Sequence, residues 1–460
     1  MTDTTIVAVG LLVLFALLAL RVPVALCLAA AGTLGIILVS GLDVAISTLA
    51  SIPFSSTVVY SLTVVPMFVL MGLLVSNSGM LDGLFDVAER ATRRLPGGLG
   101  VGTVGAAAFL GGISGSSAAD AAAIGRVAIG EMSKRGYDRA SAAAIVAAAN
   151  TVAVLIPPSV VIVIFGITTA QPIGPLLLAG IVPGILTAVA YALLIMYMAR
   201  RKSRRARVEP PEPMSIELRS QQPVLAGQST PLQRIYAVLG GGLLFTVVVG
   251  GLYIGLFTAT EAAAVGAFAG LLIGSIYMGI TTASEGRLSS MLRAGRLSVR
   301  EGVALTSMVF ALIIGASIFT QFLVLTGVPR AVGAWVLSWD VAPAVVVAAF
   351  LLLLIPMGMF IDGLSMMLVV APIAYPIVTE LGFSGIWFAI LFVKMIEIGL
   401  LTPPVGLNIY VVASLFPDLK AEAIFARILP FILIELIVTA LLFTFPEIVT
   451  FLPDISKATG

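Results

Sequence analysis

The sequence contains no histidine, and it contains a single cysteine, Cys27, among 460 residues. Without histidine, the chain lacks the usual proton shuttle of physiological pH and the commonest metal ligand. A single cysteine inside an apolar run excludes an intramolecular disulfide and a thiolate metal cluster. The sequence also lacks an HExxH motif, a Walker-type GxxxxGK[ST] motif and a dinucleotide-binding glycine motif. These absences argue against an enzyme and against transport driven by ATP bound to this chain.

Charge is scarce as well. Charged residues make up 10% of the chain and hydrophobic residues 60%, and the mean hydropathy is +1.15. Apolar runs of about 18 residues or more, long enough to cross a bilayer, recur throughout. No basic cluster precedes the first run, so we interpret it as a retained helix rather than a cleaved signal. The sequence predicts an all-α polytopic membrane protein.

One apolar run, residues 97–132, has small and polar residues at its centre. Gly111 to Ser117 read GGISGSS, and Asp120 follows shortly after. Such residues interrupt a helix and free backbone N–H and C=O groups, which protein, water or a ligand must satisfy. A second interruption follows at IPPS, residues 156–159. The first half of the chain therefore carries two broken segments.

The same pattern returns in the second half, as PMGMFIDG at 356–363 and LTPPVG at 401–406. Superposing the two double prolines gives a shift of 246 residues, which places Ser116 on Asp362. Paired interrupted segments in corresponding positions are typical of transporters built from internal repeats, and they mark the binding site.

Basic residues give each broken run an orientation. Basic loops flank the GGISGSS run on both sides, so both of its ends are predicted to be cytoplasmic. The second run, about 342–378, lies between Asp340 and Glu380 and is predicted to open to the outside. The sequence thus predicts an inverted repeat with two re-entrant hairpins and two broken helices, and an external N-terminus. Trp335, Trp339 and Trp387 are predicted to form an aromatic belt at the outer boundary.

This layout divides the chain into seven segments. They are scaffold helices 1–79, a first transport-domain half 80–175, a connecting transmembrane helix 176–200, a cytoplasmic linker 201–234, scaffold helices of the second repeat 235–339, a second transport-domain half 340–415, and a C-terminal helix and tail 416–460. The linker is rich in proline, glutamine and charge. We interpret its basic run as a topology signal rather than as a nucleic-acid site.

Polar residues at the breaks are the candidates for chemistry. A helix restarting near Ser116 would direct free N–H groups at an anion, while backbone carbonyls and serine hydroxyls suit a hard cation. The alternative is close helix packing through small residues, which recurrence in both halves disfavours. Asp362 is a carboxylate in an apolar run, which is costly and usually functional. It could ligate a cation, cap the freed N–H groups, or both.

Other polar residues have structural interpretations. Lys394 and Glu397, three apart on one predicted helix, are predicted to neutralise each other. Glu261 begins a helix that continues with Gly266, Gly270 and Gly274, a spacing typical of a close-packing face. This face is also predicted to offer a surface to a helical companion.

At this point the motifs resemble those of a known family. GGISGSSAADAAAIG, LIPPS, FIDG and EIGLLTPPVGLN, with PMFVLMG near residue 66 and TEAAAVG at 260, resemble the large membrane subunit of tripartite ATP-independent periplasmic (TRAP) transporters. The resemblance covers nearly the whole chain. Departures at Ala153, Arg126 and Gly130 affect only the expected fine geometry.

The resemblance implies secondary active, sodium-coupled import of an organic acid anion, usually a carboxylate, across the bacterial inner membrane by an elevator-type motion. It implies two partners, a small four-helix membrane subunit and a periplasmic substrate-binding protein. It implies no cofactor other than sodium as the coupling ion. In the bacterial inner membrane, the external N-terminus that the basic residues predict would be periplasmic. The implied substrate-binding residues are Ser114, Gly115, Ser116, Ser117, Pro157, Pro158, Ser159 and Asn408. The implied sodium ligands are Ser114, Ser116, Asp120, Gly358, Asp362, Gly363, Thr402, Pro403, Val405 and Gly406.

Two alternatives stay open. A stand-alone sodium–carboxylate symporter of similar inverted-repeat design would share the breaks but need no partners. A passive channel is the alternative of another class, although opposed hairpins suit alternating access better than a continuous pore. The organic anion and the lipid bilayer complete the expected partners. No nucleic-acid partner is expected.

Overall fold

The computed structural model describes residues 3–110, 125, 128–205, 230–281, 287–338, 341–416 and 418–459. Every regular element within these ranges is a helix. A helix satisfies its own backbone N–H and C=O groups, which is the requirement that a bilayer imposes on a spanning segment. The predicted all-α class is therefore confirmed for the described chain.

The α-helices, numbered in chain order, fall on either side of residues 206–229. Those of the first half are α1 Asp3–Ala19, α2 Val24–Ser40, α3 Leu42–Thr57, α4 Val64–Asn77, α5 Met80–Thr92, α6 Gly98–Leu110, α7 Arg139–Leu155, α8 Val160–Thr168 and α9 Ile173–Arg205. Those of the second half are α10 Pro231–Phe245, α11 Ala259–Thr281, α12 Arg287–Leu325, α13 Val328–Leu337, α14 Pro343–Gly358, α15 Gly363–Glu380, α16 Gly385–Leu401, α17 Leu407–Ala413, α18 Ala421–Thr444 and α19 Glu447–Thr459.

Seven helical segments of the described chain are long and apolar enough to cross a bilayer, and the bent pair α7–α8 would make an eighth. A multi-pass protein is therefore confirmed. Helix α3 was not expected from the sequence, because Pro53 and several hydroxyl side chains interrupt its apolar pattern.

The internal repeat is visible in the helix bounds. Adding 246 to both ends of α7 gives 385 and 401, which are the ends of α16. The same shift places α6 on α14 and α5 on α13 within a few residues at each end. Because these pairs keep the same order along the chain, the two halves share one arrangement of helices.

The two broken helices run in opposite directions. Phe165, near the end of α8, contacts Phe388 and Phe392 near the start of α16, with ring centroids 6.4 and 5.6 Å apart. At the other end, Arg139 at the start of α7 forms an ion pair with Asp418, which follows α17. The start of each broken helix therefore lies beside the end of the other, as an inverted repeat requires.

The glycine face of α11 is packed within this chain. An added Cβ on Gly266 would lie 2.7 Å from the sulfur of Met71, and one on Gly274 would lie 3.3 Å from the carbonyl oxygen of Leu74. Both contacts are with α4. The predicted close-packing role is confirmed, but the prediction that this face offers a surface to a companion helix is wrong, because α4 already covers it.

The aromatic belt needs one correction. Trp387 is 1% exposed, stacks on Phe383, contacts the tilted ring of Phe443, and donates from Nε1 to the carbonyl oxygen of Leu442 at 2.8 Å. Its role is to join α16 to α18 in the core, so it does not face lipid as a belt residue would. Trp335 is 61% exposed, and Trp339 lies outside the described residues.

Candidate functional site

Residues 111–124 lie outside the described residues, and with them the candidates Ser114, Gly115, Ser116, Ser117 and Asp120. The other candidates are described, and they fall into three places: the break after α7, the break after α16, and the turn between α14 and α15.

The first break joins α7 to α8 with a bend of 47°. Pro157 and Pro158 occupy it, because proline lacks the N–H that would continue the helix. Ser159 follows as the N-cap of α8, and its Oγ accepts from the backbone N–H of Ile162 at 3.3 Å. Ser159 is fully buried. The serine therefore satisfies a donor that the break exposes.

Two glycines of α9, which the sequence did not mark as site residues, close this break from one side. An added Cβ on Gly180 would lie 2.1 Å from the carbonyl oxygen of Leu155, and one on Gly184 would lie 2.6 Å from the Ile156 side chain. Because only glycine fits there, α9 can pack directly on the last turn of α7. Their four-residue spacing was the available signal.

The second break joins α16 to α17 through Pro403 and Val405, with Gly406 at its end in the left-handed conformation, φ +50°. An added Cβ on Gly406 would also lie 2.8 Å from the ring of Phe425. Both the backbone conformation and the lack of space therefore favour glycine at this position. Thr402 Oγ1 donates to the carbonyl oxygen of Ile398 at 2.6 Å. This hydroxyl keeps acceptor capacity for a cation or a water.

The helices around the two breaks pack on one another. α17 packs on α7, while α8 packs on α16. Asn408 at the start of α17 and Asn150 near the end of α7 are buried to 0% and 1% exposure. Asn408 was a predicted site residue, and the structure buries it at the start of the helix that packs on α7.

The turn between α14 and α15 lies against the last turns of α16. An added Cβ on Gly358 would lie 3.0 Å from the Cα atom of Gly399, and one on Gly363 would lie 2.9 Å from Cγ2 of Ile396. This backbone contact brings the turn beside the second break, since Thr402 is only three residues beyond Gly399. The structure thus brings together the predicted residues of the turn and those of the second break.

α15 folds back along α14 from that turn. Val346 near the start of α14 and Ile377 near the end of α15 belong to one buried cluster with Val336. The two helices therefore form a hairpin. Its re-entrant placement in a membrane stays a prediction, as does that of the first hairpin.

Asp362 is the N-cap of α15. Its Oδ1 accepts from the backbone N–H of Ser365 at 3.1 Å, and its Oδ2 accepts from the hydroxyl of the same residue. The same device stands at the start of α7, where Asp138 Oδ2 accepts from the N–H and hydroxyl of Ser141 at 3.2 and 2.9 Å. The capping role is confirmed, and sodium ligation by Asp362 stays a prediction.

A buried polar network joins helices α7, α9, α16 and α18. Lys394 on α16 forms an ion pair with Oε2 of Glu435 on α18, and both residues are 1% exposed. Glu435 Oε1 accepts from Thr151 Oγ1 on α7 and from the Tyr191 hydroxyl on α9, both at 2.9 Å. Lys394 Nζ also donates to Thr187 Oγ1 on α9 at 3.0 Å. One carboxylate therefore contacts both broken helices, through α7 and through α16.

This network corrects one prediction. Lys394 was expected to be neutralised by Glu397 on its own helix, but its ion pair is with Glu435. The helix geometry explains the error, since helical spacing gives no information on a partner from another helix. Glu435 interrupts the long apolar run of α18 as its lone mid-run charge, and that isolation was the signal by which the sequence could have shown it.

Two adjoining cavities lie beside α8. The larger, 860 Å³, lies among the residues after α8 and the segments around residues 60 and 258. The smaller, 410 Å³, separates α3 and α12 from α8 and α15. Val59 and Ile167 line both. Open space therefore lies between α8 and α15 on one side and α3 and α12 on the other.

The comparisons with known proteins agree with this arrangement. The family described as "Tripartite ATP-independent periplasmic transporter, DctM component" matches residues 11–448. A Pseudomonas aeruginosa protein named "C4-dicarboxylate TRAP transporter large permease protein DctM" is 33% identical over 409 residues, which cover 88% of this chain and 87% of that protein.

An Oleidesulfovibrio alaskensis protein named "Isethionate TRAP transporter permease protein DctMQ" is 30% identical over 444 residues. The match covers 96% of this chain but only 65% of that longer protein. Among solved structures, the Alcanivorax borkumensis YdaH transporter has a similar fold, with a TM-score of 0.64 at 15% identity, and the match covers 88% of each chain.

Proposed function

The chain belongs to the DctM component family of tripartite ATP-independent periplasmic transporters, and on that premise we propose that it imports an organic acid anion by coupling it to sodium. It is a multi-pass inner-membrane protein that transports its substrate as the large subunit of such a system. The proposal adds the coupling ion, the class of substrate and the roles of the breaks.

The observation that carries the proposal is the pair of equivalent, oppositely directed breaks, α7–α8 and α16–α17. Interrupted helices expose backbone carbonyls and N–H groups at one depth, where they serve ions and anionic substrates. At the second break, the oxygen atoms available as ligands are those of the Thr402 hydroxyl, the neighbouring carbonyls and the Asp362 carboxylate at the adjacent turn. Hard oxygen ligands of this kind suit sodium.

The substrate class rests on the relatives. Their names specify a C4-dicarboxylate and isethionate, which are both small organic anions. We propose that a molecule of this class binds beside the breaks, near Ser159 and Asn408. The helices that carry the breaks would then move against a scaffold that includes α12 and the two helices that pack on it, α2 and α4.

Reconstituted uptake tests this function. Proteoliposomes would hold this chain with its small membrane subunit, and the periplasmic binding protein would be added outside. We expect uptake of a C4-dicarboxylate or isethionate only with an inward sodium gradient and with both partners. Uptake without a sodium gradient would overturn the coupling. Robust sodium-driven uptake by this chain alone would instead establish the stand-alone symporter.

A further inference from the structure

The 410 Å³ cavity between α3, α8, α12 and α15 has polar walls that the proposed function has not used. Its lining includes hydroxyl and amide side chains from three helices, while its apolar wall comes from residues such as Ile164, Ile313 and Leu368. The polar residues are Ser55, Ser56, Thr168, Ser317, Thr320 and Gln321. No charged residue is among those that line it in the described chain.

Five of the six polar side chains make no hydrogen bond to any described residue; the exception is Ser55, which donates to the carbonyl oxygen of Ile52 at 3.4 Å. Ser56 Oγ is buried without a partner among the described residues. A hydroxyl on a helix commonly bonds to the carbonyl one turn back, as Thr326, the residue that follows α12, does to Phe322. The cavity residues therefore keep their hydrogen-bonding capacity for something inside the cavity.

Three of them form a stripe on one helix. Ser317, Thr320 and Gln321 have the spacing i, i+3, i+4, so they share a face of α12. The surrounding span has a hydropathy of 2.3, where each unsatisfied polar group costs about 1–3 kcal/mol. A stripe of donors at such a place is explained by a polar occupant rather than by packing.

The size and position of the cavity define its occupant. Ligand sites occupy about 300–1,000 Å³ and combine apolar walls with a few convergent polar groups, and 410 Å³ falls at the small end of that range. The larger cavity of 860 Å³ adjoins it. Thr168 lies at the end of α8, two helical turns beyond the first break. A small solute could therefore pass from the larger cavity through this one toward the break.

We propose that this cavity is a transit site for the transported anion, in which hydroxyl and amide donors from α12, α3 and α8 bind its oxygen atoms. Neutral donors hold an anion without the strong attraction of a lysine or arginine, so the solute can leave again toward the break. The identification of the solute rests on the proposed function. The site differs from the residues at the breaks, because half of its donors lie on α12.

The first test replaces the α12 donors by apolar residues of similar size, in the triple variant Ser317→Ala, Thr320→Val and Gln321→Leu. Thermal stability in detergent should be unchanged or higher, since no protein hydrogen bond is lost. In proteoliposomes with both partners, the KM for the transported C4-dicarboxylate or isethionate should rise at least tenfold. Thr326→Val, directly after the same helix, is the matched control, since that hydroxyl donates to carbonyl oxygens of α12, and its KM should equal that of the wild type.

The second test is independent of transport rates. In a Cys27→Ala background, Ser317→Cys should react from outside with a small charged methanethiosulfonate, and the transported anion should slow the reaction whereas glycerol should not. Wild-type KM in the triple variant, or labelling that the anion does not slow, would mean that the cavity holds water only. If no tested anion is transported by the wild type, the proposed function fails. In that case, binding of the anion measured by protection of Ser317→Cys would still support the site, and absence of protection would overturn it.

Discussion

Helices α7 and α16 occupy equivalent positions in the two halves, yet their side chains differ greatly. Each has 17 residues, ends just before a double proline, and is buried along nearly its whole length. α7 is rich in alanine, whereas α16 carries Phe388, Phe392, Lys394 and Glu397. The residue that corresponds to Lys394 under the 246-residue shift is Ala148.

This comparison separates what the backbone needs from what the side chains add. The breaks recur because proline interrupts a helix wherever it stands, so both halves keep the same bounds. Volume and charge do not recur. The small side chains of α7 let α6 and α9 approach it closely, while α16 fills its surroundings with rings and fixes its partner α18 through a charge. The break therefore occurs in both helices, whereas buried charged side chains occur on α16 and not on α7.

The largest expected effect on stability comes from breaking the buried ion pair between Lys394 and Glu435. Lys394→Met leaves the Glu435 carboxylate buried without its cation, and the cost of such a change is about 3–5 kcal/mol. We expect a large fall in the thermal unfolding temperature in detergent and a corresponding loss of folded protein.

The double variant Lys394→Met with Glu435→Leu removes both charges and should recover most of the lost stability, since apolar replacement of a whole buried pair is often neutral. Asp418→Asn is the control at an exposed pair: Asp418 is 55% exposed in its ion pair with Arg139, so the change should cost less than about 1 kcal/mol. Equal losses in Lys394→Met and Asp418→Asn would show that the buried pair has no special weight.

The sequence predicted much of the architecture for one physical reason: its strongest signals are local. Apolar length gave the spans, and Pro157-Pro158 with Pro403-Pro404 gave the two breaks at a fixed shift. Contacts between helices are not local. The partner of Lys394 is 41 residues away on α18, and Gly180 on α9 meets the end of α7 although α8 lies between them in the chain. Pairings of this kind depend on how helices rotate and pack, which helical periodicity in one segment does not specify.

A second prediction compares the glycine contacts at the two breaks. Gly180→Ala would bring a Cβ to 2.1 Å from the carbonyl oxygen of Leu155, whereas Gly399→Ala would bring one to 2.9 Å from the Cα atom of Gly358. Overpacking costs about 1–3 kcal/mol, so both variants should be destabilised, and Gly180→Ala should be the worse. Thermal unfolding and uptake rates measure both effects.

Gly105→Ala is the matched control, because a Cβ there meets nothing within 4 Å on the helix α6. Alanine in a helix is favoured over glycine by about 1 kcal/mol, so this variant should be neutral or slightly more stable. The expected order would be reversed if Gly399→Ala lost more stability than Gly180→Ala. In that case, the contact between α16 and the turn after α14 would be less tolerant of displacement than the contact between α9 and α7.

The smallest expected effect separates the two roles open to Asp362. Asparagine is as good an N-cap as aspartate, so Asp362→Asn should keep the bond to the Ser365 N–H and change thermal stability little. If the carboxylate also ligates sodium, its lost charge should raise the half-saturating sodium concentration for uptake about tenfold, which is about 1.4 kcal/mol.

Asp138→Asn is the control from the other half. Asp138 caps α7 in the same way, because it accepts from the N–H and hydroxyl of Ser141, a serine three positions later. Its ion pair with Arg427 is exposed, at 42% and 55%, and contributes little, so Asp138→Asn should leave the sodium dependence unchanged. Equal sodium dependence in both variants and the wild type would mean that Asp362 serves α15 only as a cap, and that the oxygen ligands at the second break come from the backbone and Thr402.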